Sequence, residues 1–233
     1  MLPDSPMMAP GQTAPPSLAL AQNRVLRNTY ALLALSMVPT IFGAWLGVQL
    51  NFSLFATHPA IGFMAFLAIA FGFMYGIEKT KNSGWGVALL LGFTFFMGLM
   101  LSRMIGAVLG LGNGASLIAL AFGGTSVIFV SMATLASTVK RDLSGMGKFL
   151  FVGVVMLLLA MFANIFLQLP GLMIALSLIA IGIFSAFMLY DVNRIVTGGE
   201  TNYISATLAL YLDVYNVFVN LLAILGITGG SSD

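Results

Sequence analysis

Apolar runs separated by short polar breaks occupy the chain from Arg24 onward. Each run is close to the roughly 20 residues that a helix needs to cross about 30 Å of hydrocarbon, so each is predicted to be a transmembrane helix. Seven runs have this character: Tyr30 to Leu50, Pro59 to Ile77, Trp85 to Leu109, Ser116 to Val139, Phe149 to Leu167, Leu172 to Val196 and Ile204 to Ile227. The pattern predicts an all-α integral membrane protein with seven transmembrane helices.

Two segments flank this seven-helix domain, which is placed at residues 24–228. Residues 1–23 contain five prolines and little hydrophobic periodicity. Such a segment cannot bury enough apolar surface to offset its ordering entropy, so a disordered cytoplasmic tail is expected. It lacks the basic start and apolar core of a cleavable signal peptide, and the first span is expected to be retained. Residues 229–233 form a short C-terminal tail.

Glycines spaced four apart occur in three of the spans. This spacing lets two helix backbones approach closely in lipid. In a chain with 26 glycines such matches also arise by chance, so packing and coincidence are weighed equally for each pair: Gly43 with Gly47, Gly72 with Gly76, and Gly106 with Gly110.

Composition agrees with a membrane location. Hydrophobic residues make up 60% of the chain and charged residues 7%, whereas a soluble domain is typically about 25% charged. The lipid bilayer is therefore the first expected partner. The net charge of +2 gives no reason to expect nucleic acid, and the absence of cysteine excludes disulfides, thiolate zinc sites and cysteine nucleophiles.

The loops that carry Lys and Arg alternate with loops that carry neither. Because basic residues stay in cytoplasmic loops, the alternation predicts a cytoplasmic N-terminus and an outside C-terminus. The basic positions occur before the first span, after the second, after the fourth and at the end of the sixth: Arg24, Arg27, Lys79, Lys81, Lys140, Arg141, Lys148 and Arg194.

Three ionisable residues lie inside apolar segments. They are Asp191 on the sixth predicted helix, Asp213 on the seventh and Arg103 on the third. A charge at mid-bilayer depth costs a few kcal/mol on insertion scales, so such residues usually face a bundle interior and mark a proton or ion path. On the seventh helix Asn216 and Asn220 continue the stripe of Asp213 at i+3 and i+7, which predicts a polar edge facing protein or water.

Asp191 and Asp213 are candidates for a pH sensor or gate. If they meet, like charge and desolvation oppose double ionisation, so the pair would share one proton and titrate as a unit. Asp213 lies deeper if both helices are straight, and tilt would bring the carboxyls together. In the alternative, each aspartate is satisfied separately, Asp191 by Arg194 or a neighbouring hydroxyl and Asp213 by Asn216 or another helix. The pair is favoured because deep carboxylates are rare without a function.

Arg103 has two interpretations. It lies toward the outer end of its helix, where a long side chain can extend to the interface as an anchor. The alternative is a buried ion pair with an aspartate. The interface anchor is favoured, since Asp191 belongs near the opposite face.

An enzyme is the weakest hypothesis. Intramembrane aspartyl proteases place Tyr-Asp on one helix and a second aspartate on the next, and Tyr190-Asp191 matches the first half. The second half requires Gly-x-Gly-Asp, whereas this chain has Leu210-Tyr-Leu-Asp213. No serine nucleophile motif, phosphate-binding glycine loop or metal-ligand cluster is found in the sequence. A protein without enzymatic activity or cofactor is expected.

Several motifs together carry a family resemblance. They are Lys140-Arg-Asp-Leu-Ser-Gly-Met-Gly-Lys-Phe-Leu150, Asn164-Ile-Phe-Leu-Gln168, Leu189-Tyr-Asp-Val-Asn-Arg194, Gly198-Gly199, Asn202-Tyr-Ile204 and Ala209-Leu-Tyr-Leu-Asp213 with Asn216. In these motifs the chain resembles the Bax inhibitor family (the TMBIM group), in particular its bacterial YccA-like branch, from about Arg24 to Ile227.

The resemblance implies a fold with six helices arranged around the C-terminal seventh, in the bacterial inner membrane. It also implies a pH-sensitive cation leak, with Ca²⁺ as the transported ion, gated by an aspartate pair at the positions of Asp191 and Asp213. A second implied role is association with a membrane-anchored ATP-dependent protease. The chain departs from the family pattern at Leu101-Ser-Arg103-Met104, where relatives usually carry a proline.

Overall fold

The computed structural model describes residues 16–54, 58–139 and 141–229, and within these ranges the chain forms seven α-helices. In chain order they are α1 (Pro16–Gln49), α2 (Pro59–Thr80), α3 (Gly84–Leu109), α4 (Gly114–Thr138), α5 (Met146–Leu167), α6 (Pro170–Thr197) and α7 (Tyr203–Gly229). All seven are long and apolar enough to span a membrane. The predicted all-helical class is confirmed.

The first helix begins well before the first predicted span. It starts at Pro16, so residues 16–23 are helical rather than part of a tail, which corrects the predicted boundary. The reason is local: the stretch after Pro16 has no further proline or glycine until Pro39, and proline is well tolerated in the first helical turn. The rest of the predicted tail, residues 1–15, lies outside the described residues, as do residues 230–233.

The C-terminal helix α7 lies at the centre of the bundle. It contacts α1, α2, α3, α4 and α6, and its side chains Leu210, Tyr211, Val217 and Leu222 are fully buried. Within the described residues α5 contacts α6 and no other helix. Five helices therefore surround α7 directly, and α6 holds the sixth, α5, on the outside.

The backbones of helices α1 and α3 approach each other closely. A Cβ atom at Gly98 would overlap the carbonyl oxygen of Thr40, and one at Gly43 would overlap the backbone of α3. A Cβ at Gly47 would likewise collide with Ser102. Of the two alternatives weighed equally for Gly43 and Gly47, the structure supports packing. The other two predicted pairs make no comparable backbone approach to a neighbouring helix: Gly72 with Gly76, and Gly106 with Gly110.

Three interhelical connections meet at one end of the bundle. Asn202, between α6 and α7, donates from Nδ2 to the Lys81 carbonyl oxygen at 3.0 Å and to Asn82 Oδ1 at 2.9 Å. Ser205 donates its hydroxyl to Glu78 at 3.0 Å, and Lys81 also pairs with Glu78. The connection between α4 and α5 packs on the end of α6. Five of the basic residues expected to lie inside are in or next to these connections, whereas Lys140 lies outside the described residues: Lys79, Lys81, Arg141, Lys148 and Arg194.

Candidate functional site

Asp191 of α6 and Asp213 of α7 come together inside the bundle. Their residues are 9% and 5% exposed, and the two carboxyl groups lie within reach of each other where α6 packs on α7. Ionised carboxylates only accept hydrogen bonds, so a hydrogen bond between these two groups requires a proton on one of them. Asp213 Oδ2 is buried and has no hydrogen-bond partner among the described residues. Geometry of this kind favours one shared proton over two ionised groups.

The meeting of the two carboxyls fixes how α6 and α7 are offset. Asp191 precedes the end of α6 at Thr197 by six residues, and Asp213 follows the start of α7 at Tyr203 by ten. At 1.5 Å per residue these positions lie about 9 Å and about 15 Å from the adjoining helix ends. Antiparallel helices with their adjoining ends level would leave the carboxyls roughly a turn apart. Their contact therefore requires an offset or a tilt between α6 and α7.

Among the described residues, Arg194 is the cation that pairs with Asp191. Its Nη1 atom lies 3.8 Å from Asp191 Oδ1, and its Nη2 atom lies 3.5 Å from Glu200 Oε2. The guanidinium carbon lies 5.7 Å from the ring centroid of Tyr190. Both ion pairs are longer than the 2.7–2.9 Å that charge-assisted hydrogen bonds favour, so Arg194 is held loosely between two carboxylates.

The other predicted site residues lie apart from the pair. Asn216 donates to the Leu212 carbonyl oxygen at 2.7 Å, and Asn220 donates to that of Asn216 at 2.8 Å, so both amides bond within α7. Arg103 is at the far end of α3, where Nη1 donates to Ser53 Oγ at 2.9 Å in an exposed position. Across the described chain no ion pair joins Arg103 to an aspartate.

Asn193 is a positioning residue that the sequence analysis missed. It is fully buried next to the pair on α6. Its Oδ1 atom accepts from the Leu143 N–H at 3.0 Å, and Nδ2 donates to the carbonyl oxygens of Val139 and Arg141, each at 3.2 Å. One side chain thus holds the connection between α4 and α5. The sequence contained one indication of this role, an amide two residues after Asp191 in an apolar helix. The hydrogen-bond partners of that amide are evident only in the folded structure.

A second buried polar contact, also missed, joins α7 to α1 and α3. Tyr211 is fully buried, and its hydroxyl lies 2.9 Å from Thr40 Oγ1 and 3.4 Å from the Thr94 carbonyl oxygen. Thr40 also lies 2.8 Å from the Ser36 carbonyl oxygen, to which its hydroxyl donates, and either hydroxyl can donate in the contact with Tyr211. This contact fixes the central helix against the tightly packed α1–α3 pair.

The chemistry available at the site is proton sharing and charge compensation. No group of three or more His, Cys, Asp or Glu side chains suited to a metal ion is found in the described ranges. The pair has two carboxyl groups and one adjacent guanidinium, so its net charge changes by one with each proton gained or lost. Because the pair is buried, that charge is weakly screened and acts strongly on the contact between α6 and α7.

Comparison with known proteins places most of the chain in one family profile. The profile described as "Inhibitor of apoptosis-promoting Bax1" matches residues 22–230. This match extends from α1 to the end of α7 and includes both aspartates.

Individual relatives match over nearly the whole chain. The chain is 39% identical over 207 residues to "Modulator of FtsH protease YccA" of Escherichia coli K12, with 89% of this chain and 91% of the relative covered. A relative in another Escherichia coli strain, at the same identity, is called "Inner membrane protein YccA". An uncharacterized protein of Pseudomonas aeruginosa is 36% identical over 216 residues, covering 91% of this chain and 95% of its own.

Proposed function

The chain belongs to the Bax inhibitor-1 family, and from this premise we propose that it is a non-enzymatic modulator that binds an FtsH-type ATP-dependent protease in the bacterial inner membrane. The observation that carries the proposal is the 39% identity to a modulator of FtsH protease, with about nine-tenths of both chains covered. Modulation requires a binding surface and no catalytic group, in keeping with the site described above.

The end of the bundle that carries the basic residues offers a defined surface for such a partner. Asn193 fixes the α4–α5 connection and Asn202 ties the α6–α7 connection to the α2–α3 connection. Hydrogen bonds from these two amides, of which Asn193 is buried and Asn202 half-buried, hold the loops in one conformation, which lowers the entropy that a partner must remove on binding. We place the protease contact on these connections or on the N-terminal residues that precede α1.

A reconstituted system tests the modulator proposal. The chain is incorporated into proteoliposomes with an FtsH-type protease and a second membrane protein as substrate, and the rate of substrate loss is measured. The full chain is expected to change that rate in a saturable manner and to co-purify with the protease. A variant lacking residues 1–15 keeps α1 intact and separates the two contact regions. Unchanged turnover at saturating concentrations of the full chain would refute the proposal.

The aspartate pair favours a second candidate function, a pH-sensitive leak for Ca²⁺ or another cation. Its support is the buried contact between Asp191 and Asp213, since carboxyls at this depth usually serve a proton or ion path. Loss of the shared proton would leave two carboxylates in contact, with Arg194 beside them and Glu200 beyond it. That repulsion acts between α6 and the central helix, so protonation is expected to set how tightly the pathway is closed.

Flux measurements test the leak independently of any protease. Ca²⁺ flux into proteoliposomes is measured over a pH series for the parent and for Asp213→Asn, which keeps the shape and a hydrogen-bond donor but cannot ionise. The parent flux is expected to depend on pH and the variant flux to be nearly independent of it. Asp142→Asn, at an exposed aspartate, is the matched control. Identical pH profiles for the parent and Asp213→Asn would exclude the aspartate pair as the gate.

A further inference from the structure

A cavity of about 640 Å³ lies between α5 and α6 at the end of the bundle that carries the basic residues. On α5 it is lined by Lys148 and, one turn further along the same helical face, by Phe151 and Val152. On α6 the facing wall includes Tyr190 and Arg194. Because α5 contacts no helix but α6 in the described structure, the cavity lies at the outer surface of the bundle.

The end of the cavity nearest the loops is polar, and its lining includes two cations, Lys148 and Arg194, and one carboxyl group, that of Asp191. Lys148 is exposed and has no ion pair or hydrogen bond within the described parts of the chain. Arg194 has two carboxylate neighbours at 3.5 Å and 3.8 Å, which leaves several of its five N–H donors free. An anionic group with several acceptor oxygens, such as a phosphate, complements these two cations.

The deeper part of the cavity is apolar and faces the membrane. Phe151 and Val152 are 65% and 59% exposed, and Phe187 completes the wall from α6. A free phosphate ion would leave this surface uncovered. A phospholipid has both parts in the observed order, since its phosphate lies at the interface and its acyl chain extends along the helices into the hydrocarbon.

We propose that this cavity binds one anionic phospholipid, with its phosphate between Lys148 and Arg194 and an acyl chain against Phe151, Val152 and Phe187. The guanidinium of Arg194 then has a third anionic neighbour besides Asp191 and Glu200. Phosphate bound to Arg194 draws that cation away from Asp191, so lipid occupancy is linked to the charge balance of the aspartate pair.

Native mass spectrometry of the full chain released from mixed micelles tests the site. The retained lipid is compared for phosphatidylglycerol and phosphatidylcholine with identical acyl chains. The parent is expected to retain one phosphatidylglycerol in preference to phosphatidylcholine. Lys148→Gln is expected to lower phosphatidylglycerol retention about fivefold, the factor that one basic side chain contributes near an anionic surface, and to leave phosphatidylcholine retention unchanged.

Two further variants separate the site from general surface charge. Lys79→Gln removes a cation that lies over the ring of Tyr75 on α2, away from the cavity, and should retain phosphatidylglycerol like the parent. Val152→Trp fills the groove without changing charge and should reduce retention of both lipids. Equal retention by Lys148→Gln and the parent would overturn the proposal. Displacement of the lipid by millimolar inorganic phosphate would also overturn it, because the site would then be one for free phosphate.

Discussion

Replacement of Asn193 by alanine is expected to release the connection between α4 and α5. The side chain makes three hydrogen bonds to the backbone of that connection, at 3.0, 3.2 and 3.2 Å. Each such bond contributes about 0.5–1.5 kcal/mol net. Together they are worth about 3 kcal/mol of local stability, and at 1.4 kcal/mol per factor of ten the population of the opened connection should rise on the order of 100-fold.

Limited trypsin digestion in detergent measures this opening. Arg141 lies within the connection that Asn193 holds, and cleavage of a briefly opened segment follows the population of its open form. The initial rate of cleavage after Arg141, followed by mass spectrometry, is expected to rise steeply in Asn193→Ala.

Asn164→Ala is the matched control for this experiment. Asn164 Oδ1 accepts from the Leu169 N–H at 3.2 Å in the connection between α5 and α6, so its loss should leave cleavage at Arg141 unchanged. A cleavage rate in Asn193→Ala equal to that of the parent would refute the assignment of Asn193 as the residue that holds this connection. An equal rise in both variants would attribute the effect to general loosening of the protein.

Two substitutions test the packing of the bundle core. Gly98→Ala places a methyl group against the Thr40 carbonyl oxygen and should lower the free energy of unfolding in detergent by about 1–3 kcal/mol, the usual cost of overpacking. Gly72→Ala, at a position where nothing lies within 4 Å of the added methyl group, should be close to neutral. Equal melting temperatures for the two would contradict the close α1–α3 approach. Tyr211→Phe removes the hydroxyl that contacts Thr40 and should cost about 0.5–1.5 kcal/mol in the same measurement, and no change would show that this contact adds nothing to stability.

Much of the fold was predictable because the bilayer imposes a simple length rule. A run of about 20 apolar residues has few alternatives to a spanning helix, so the seven helices followed from the sequence. The start of α1 at Pro16 was not predicted, because the first span was assigned from the apolar part of that helix alone. The outer position of α5 was also missed. In lipid an apolar helix side that packs on protein and one that faces acyl chains have similar composition.

The candidate site was predictable in its residues and less so in its geometry. Asp191 and Asp213 were identifiable because a charge in an apolar segment is expensive. Whether the two carboxyls meet depends on the offset between α6 and α7, which tertiary packing determines. Asn193 was missed for a related reason, since its three partners lie about 50 residues away in the chain and only the folded connection brings them to it.

Infrared spectroscopy tests the shared proton of the aspartate pair most directly. The chain has only seven Asp and Glu side chains, so the C=O stretching band of a single protonated carboxyl group at neutral pH can be assigned by substitution. We expect the parent to show this band, Asp191→Asn and Asp213→Asn each to shift or abolish it, and Asp142→Asn to retain it at the parent frequency. Absence of the band in the parent at neutral pH, or its survival at unchanged frequency in both single variants of the pair, would contradict a proton held between Asp191 and Asp213.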